Sequence, residues 1–85
     1  MAVVLLPSLL AAEAGGQKRF ELDAPTVRDA LRGLPIASLI FDEAGERRPL
    51  VNVFVDGAEL RDLDTPLADD AEVRIVAAIA GGSSH

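Results

Sequence analysis

The residues of this 85-residue chain with the most specific chemical use are Ala80-Gly81-Gly82, with Ser83, Ser84 and His85 beyond them. A carboxylate at the end of a chain is unreactive until it becomes a mixed anhydride. An enzyme that adenylates it must draw the tail through a narrow channel to ATP. Residues without Cβ permit that close approach and any φ and ψ it requires. Extended chain from Ala77 to Gly82 reaches roughly 20 Å. The plain alternative is a flexible glycine end with no chemistry. Other candidates carry less. The carboxylate pairs Asp69-Asp70, Asp42-Glu43 and Asp62 with Asp64 would need a cleft to perturb one partner, and they read as solvated loops. Asp62, Asp64 and Asp69 lack the spacing of a calcium loop. Gly15-Gly16-Gln17-Lys18 lacks the spacing of a phosphate-binding loop and reads as a hairpin connection. Arg47 and Arg48 read as a solubilising loop rather than a docking site.

The composition narrows the classes of function. There is no Cys, and the one His is the last residue, so thiolate chemistry, disulfides and His clusters are excluded, and no metal site is expected. Hydrophobic residues are 49% and charged residues 26%, which fits a globular domain rather than a disordered chain. The net charge of −6 argues against nucleic acid and against anionic membranes. It suits docking on a basic protein surface. An autonomous enzyme active site is not expected in a domain this thin.

The elements that must position the tail follow from pattern. Ala2 to Ala12 is apolar, and Ala12-Glu13-Ala14 resembles a signal-peptide cleavage site. No Lys or Arg precedes the run and Pro7 interrupts it, so a buried strand over Ala2–Leu6 is the better reading, and the expected location is cytoplasmic. Gly15-Gly16 turns the chain through a long loop into a second strand within Gln17–Asp23, with Phe20 and Leu22 on one face. Pro25-Thr26 opens a helix capped by Thr26, with Asp29 completing an acidic capping box. Val27, Ala30, Leu31 and Leu34 form its apolar stripe, and Gly33 and Pro35 stop it. Ile36–Phe41 fits a short helix or a strand, and Asp42–Pro49 is a polar loop. Leu50–Val55 is a strand, Asp56-Gly57 a tight hairpin turn, and Ala58–Leu60 the return. Leu63–Asp70 is a turn region, and Glu72–Ile79 alternates as the last strand. The expected fold is α+β, a mixed sheet of four to five strands around one main helix. One domain spans 1–79, and 80–85 is a flexible tail. Val51, Val53 and Val55 face the core with the helix, which puts Asn52 and Phe54 on the other face of the sheet.

Order and tail together resemble the MoaD/ThiS family of ubiquitin-like β-grasp sulfur carriers. The matching pieces are Val51-Asn52-Val53-Phe54-Val55-Asp56-Gly57, then Thr65-Pro66-Leu67-Ala68-Asp69-Asp70-Ala71-Glu72-Val73, then the strand leading to Gly81-Gly82. Ala24-Pro25-Thr26-Val27 is similar to the family's helix opening. The long first hairpin and Ala78-Ile79-Ala80-Gly81-Gly82 are more similar to MoaD and CysO-like members than to the shorter ThiS. Asp70-Ala71 stands where the family often has Gly-Asp. The resemblance implies a protein co-substrate rather than an enzyme. A ubiquitin-activating-like adenylyltransferase would use Mg-ATP on Gly82, and a sulfur donor would leave a Gly82 thiocarboxylate. A sulfur-acceptor enzyme would then use it to build a cofactor, cysteine or a thio-metabolite. The carrier would bind no cofactor tightly, since ATP belongs to the activating partner.

Ser83-Ser84-His85 blocks the Gly82 carboxylate. It is either an extension that a metalloprotease trims or the remnant of a histidine tag. Phe54, Val76 and Ala78 alternate away from the core set, and with Ile79 and Ala80 beside the tail they form the expected partner surface. The alternative is that the first hairpin or Ile36–Phe41 covers them. Two other classes of function stay open: a ubiquitin-like modifier joined through Gly82 to lysines, and a non-covalent β-grasp module for which the tail is dispensable.

Overall fold

The first strand, β1 (Ala2–Leu5), forms where a valine-rich run meets Pro7, whose missing N–H ends the pairing. The computed structural model describes residues 1–77. Pro7, extended at φ −69° and ψ 161°, is followed by a six-residue helix, α1 (Ser8–Glu13), held against the core by buried Leu10 and Ala11. The expected loop between the first two strands is therefore a helix. A run of four apolar residues, Leu9 to Ala12, gives no period by which to tell it from a loop or strand. Gly15 and Gly16, both at positive φ, end it and turn the chain into β2 (Arg19–Leu22). That strand is shorter than the expected Gln17–Asp23, with Phe20 and Leu22 half-buried on one face.

The main helix, α2 (Val27–Arg32), opens on Thr26, whose Oγ1 accepts from the Asp29 backbone N–H at 3.2 Å. The same hydroxyl donates to Asp29 Oδ2 at 2.9 Å. Asp29 thus returns to the Thr26 side chain and not to its backbone, a variant of the expected box. The loop between the fourth and fifth strands supplies the rest of the cap. The N–H groups of Val27 and Arg28 donate to the carbonyls of Thr65 and Leu63 at 3.2 and 2.8 Å. These are first-turn donors with no partner inside the helix. Arg28 Nε donates to Asp64 Oδ1 at 2.8 Å, and Thr65 Oγ1 donates to the Asp62 carbonyl at 2.7 Å. The hydrogen bond to Asp64 shifts the Arg28 pKa up, opposed by partial desolvation. The Asp62–Leu67 stretch is thereby a clamp on the helix start. Thr26→Ala should remove about 1 kcal/mol of stability and lower the melting temperature by roughly 4–8 °C, read by circular dichroism.

Gly33 lies at φ −78°, so its role in ending α2 uses no left-handed conformation. A third helix, α3 (Ala37–Ile40), resolves the ambiguous Ile36–Phe41 run, with Ile36, Ile40 and Phe41 buried. The hairpin of β3 (Val51–Val55) and β4 (Ala58–Leu60) turns on Asp56 at φ 51° and Gly57 at φ 89°. Both central residues at positive φ match the twist of the flanking strands. The last described element is β5 (Glu72–Ala77).

The five strands form one sheet in the order β2-β1-β5-β3-β4. β1 runs parallel to β5, and the other three pairings are antiparallel. One face of the sheet carries the core. Val4, Val53, Val73 and Ile75 pack there with Val27, Ala30 and Leu31 of α2 and with Leu34, all of them buried. Val55, expected among them, is only half-buried at the hairpin end. The fold is the expected mixed sheet on one main helix, with two short helices added.

Candidate functional site

Alternation on the central strands builds the face opposite the core. With Val73 and Ile75 on the core side, Glu72, Arg74 and Val76 of β5 project from the other. The β3–β5 register sets Phe54 against Arg74 and Asn52 against Val76. Phe54 and Val76 are therefore diagonal neighbours, within reach of each other's larger side chains. The β1–β5 register adds Leu5 beside Arg74. The result is an apolar strip of Leu5, Phe54 and Val76 crossed by the Arg74 side chain. Phe54 and Val76 line one shallow hollow of about 350 Å³ with Glu72 and Arg74. Val76 is 41% exposed. The Ile36–Phe41 segment packs on the core side, and the β1–β2 pair lies in the plane of the sheet. Neither covers this strip.

Charges frame the strip. Arg74 Nη2 lies 3.3 Å from Glu72 Oε2, and Arg19 Nη2 lies 3.1 Å from Glu21 Oε2. Both pairs are exposed and contribute little to stability. They leave salt-sensitive groups at the rim of an apolar patch, the arrangement of a protein interface. The described residues contain no group of three or more His, Cys, Asp or Glu side chains able to hold a metal ion. The carboxylates read as loop residues are such. Asp42 Oδ1 accepts from the Ala44 and Glu46 N–H groups, both at 2.9 Å. Asp56 Oδ1 accepts from the Glu72 N–H at 3.0 Å and so ties the β3–β4 turn to the start of β5.

The structure thus brings Phe54 and Val76 onto one face. Ala78, Ile79, Ala80, Gly81 and Gly82 lie outside the described residues. Sequence reading puts Arg74 on the same side of the last strand as Val76 but misses Leu5 as a member of this face. Leu5 stood in a run read as buried, and Arg74 as the polar partner of an alternating strand. Only the parallel β1–β5 pairing sets them side by side, and no local pattern encodes that pairing. No helix among the described residues is long and apolar enough to cross a membrane.

Comparison with known proteins places the chain. Its residues 4–82 match the ThiS family. No curated protein sequence matches it. Among solved structures it is similar to Mycobacterium tuberculosis CysO, described as an antigen, at 26% identity with a TM-score of 0.82. That match covers 93% of this chain and 100% of the other. It is similar to SAMP1 from Haloferax volcanii at 28% identity and a TM-score of 0.75, covering 95% and 98% of the two chains. In fold it also resembles a chain of the Amycolatopsis orientalis BexX/CysO complex, at 24% identity and a TM-score of 0.79, covering 96% and 100%. The family match runs from within β1 through Gly82 and so takes in the sheet, the helix and the diglycine together. This chain belongs to the ThiS family, the MoaD/ThiS group of small ubiquitin-like β-grasp carrier proteins.

Proposed function

We propose that this protein is a cytoplasmic sulfur carrier whose working group is the carboxylate of Gly82. The observation that carries the reading is a family match that ends on Gly82, five residues beyond the end of a central strand that borders an uncovered apolar face. A metalloprotease first hydrolyses the Gly82–Ser83 peptide bond. The freed carboxylate then attacks the α-phosphorus of Mg-ATP held by a ubiquitin-activating-like adenylyltransferase. An acyl–phosphate bond forms and pyrophosphate leaves. A hydrosulfide-type donor attacks the acyl carbon, the bond to AMP breaks, and AMP departs with the electron pair. The thiocarboxylate that remains is the nucleophile a sulfur-acceptor enzyme uses. The carrier supplies no catalytic side chain. Its contribution is to present the diglycine and to dock, and ATP and any metal belong to its partners.

A docking role for the open face suits its make-up. Aromatic residues at the centre of an interface tend to dominate its energetics. Phe54→Ala should lower the adenylation efficiency of the partner about tenfold, equivalent to ~1.4 kcal/mol. The melting temperature should barely move, because Phe54 lies outside the core cluster. Equal pyrophosphate exchange by Phe54→Ala and the parent chain would remove this face from the assignment.

The likeness to SAMP1 favours one second reading, since a solved SAMP1 is described as a small archaeal modifier protein. On that reading Gly82 forms an isopeptide bond with a lysine of another protein. Intact-mass analysis of the native protein separates the two. Loss of Ser83–His85 with sulfur replacing one oxygen supports the carrier. A ladder of higher-mass conjugates that disappears without Gly82 supports the modifier.

A further inference from the structure

A second apolar surface lies on the core side of the sheet, where β5 ends. It is a groove of about 360 Å³ floored by Leu10, Val51 and Ala77, with Leu9 of α1 and Leu39 of α3 on its walls. Leu9 is 53% exposed and Leu39 37% exposed. They are two of the five large hydrophobic residues exposed among the described ones, and nothing among the described residues covers them. Two charged residues complete the lining, Glu13 and Arg48. Arg48 is engaged, since its Nε and Nη2 both donate to the Ser38 carbonyl at 3.2 Å. Glu13 makes no ion pair among the described residues.

We propose that this groove is a second docking site for the activating enzyme, separate from the open face, and that it takes an apolar side chain of that enzyme with a Lys or Arg beside it. The inference rests on the carrier reading and deepens it. Gly82 is five residues beyond Ala77, and the extended stretch from Ala77 to Gly82 reaches roughly 20 Å. An enzyme whose active site holds the Gly82 carboxylate must therefore lie within that distance of Ala77, which is itself part of the groove. Leu9 and Leu39, which line the same groove as Ala77, and Val76 on the other side of the strand are therefore the apolar surfaces next to its path. Burial of two leucines supplies the attraction. Glu13 selects a cation at the edge, as the net charge of −6 does for the whole chain. The enzyme thus clasps the end of β5 from both faces.

The test uses the chain ended at Gly82 and each ubiquitin-activating-type adenylyltransferase of the source organism, one at a time, in ATP–pyrophosphate exchange. Leu9→Asp should raise the half-saturating carrier concentration about tenfold or more while leaving the maximal rate within about twofold. Glu13→Lys should raise it severalfold, and Leu9→Met should behave as the parent. Leu9 is mostly exposed, so the fold should survive. If Leu9→Asp lowers the melting temperature, Leu9→Ser replaces it. Saturation of Leu9→Asp or its replacement at the parent's concentration overturns the groove. So does a dimer in sedimentation that Leu9→Asp splits while exchange is unchanged, because the occupant is then a second copy. If the parent chain drives exchange with no enzyme, the carrier reading itself fails and the groove assignment falls with it. A working parent beside an unaffected Leu9→Asp sinks the groove alone.

Discussion

A chain ended at Gly82, mixed with its activating enzyme, Mg-ATP and sulfide, should gain one sulfur in place of one oxygen, and the same chain with Gly81→Val should gain almost none. The expected loss is about a hundredfold or more, the scale of misplacing a reacting group by about 1 Å. The reason is steric. A valine at position 81 brings three extra heavy atoms next to the channel wall and restricts the backbone to a fraction of the conformations open to glycine. Removing Gly82 should have an equally large effect for a simpler reason, because the new terminal carboxylate stops one residue, ~3.3 Å, short of the nucleotide. The uncut chain ending at His85 should also fail until it is trimmed. The readout is intact mass, supported by pyrophosphate exchange. Undiminished sulfur transfer by Gly81→Val would mean that the tail is not threaded at all, and the carrier mechanism would have to be abandoned.

The second large effect concerns the fold. Leu31 is fully buried, in the apolar stripe of α2. Leu31→Ala should remove about 2–5 kcal/mol, the transfer free energy of the lost atoms plus the cavity left behind. A domain of this size has only about 5–10 kcal/mol in total. At roughly 4–8 °C per kcal/mol, the melting temperature should fall by about 8–40 °C, with a matching drop in the urea midpoint. Leu9→Ala serves as the contrast, since Leu9 is exposed, and it should shift the midpoint by no more than a few degrees. A fall below about 5 °C for Leu31→Ala would mean that the site collapses around the gap or that α2 is not the centre of the core.

The helix and the β3–β4 hairpin were legible because both rest on local rules. Thr26 before an i, i+3, i+4, i+7 stripe describes a capped amphipathic helix whatever surrounds it. Asp56-Gly57 between two alternating runs specifies the turn by the φ values it demands. What was not legible depends on distant partners. The α1 helix is too short to show a period, and Leu10 and Ala11 hold it only because the rest of the core cluster lies beneath. The Asp62–Leu67 stretch looks like a polar loop. Its purpose, capping α2 with the carbonyls of Leu63 and Thr65, appears only when residues some 36 positions apart meet. Of the candidate face, Phe54 and Val76 followed from alternation, which needs no topology. Arg74 followed from alternation too, and only Leu5 needed the parallel pairing of the first strand with the last. The diglycine was legible as chemistry because its meaning lies in the absence of Cβ.

The position of β5 has a consequence for how the molecule comes into being. Until that strand is made, β1 has only β2 beside it and β3 has only β4. Each is an isolated two-stranded ribbon, marginal in water, and α2 has no continuous surface to lie on. The joining strand is Glu72–Ala77, so residues 1–77 must leave the ribosome before the described sheet can close in full. Its pairing with β1 spans nearly the whole described chain, a contact of high sequence separation that forms late. Closure is therefore all-or-none and waits for the last strand of the sheet. The strand that completes the sheet is also the one that leads to the diglycine, so a half-made or misfolded copy presents no ordered base from which a partner could take the tail.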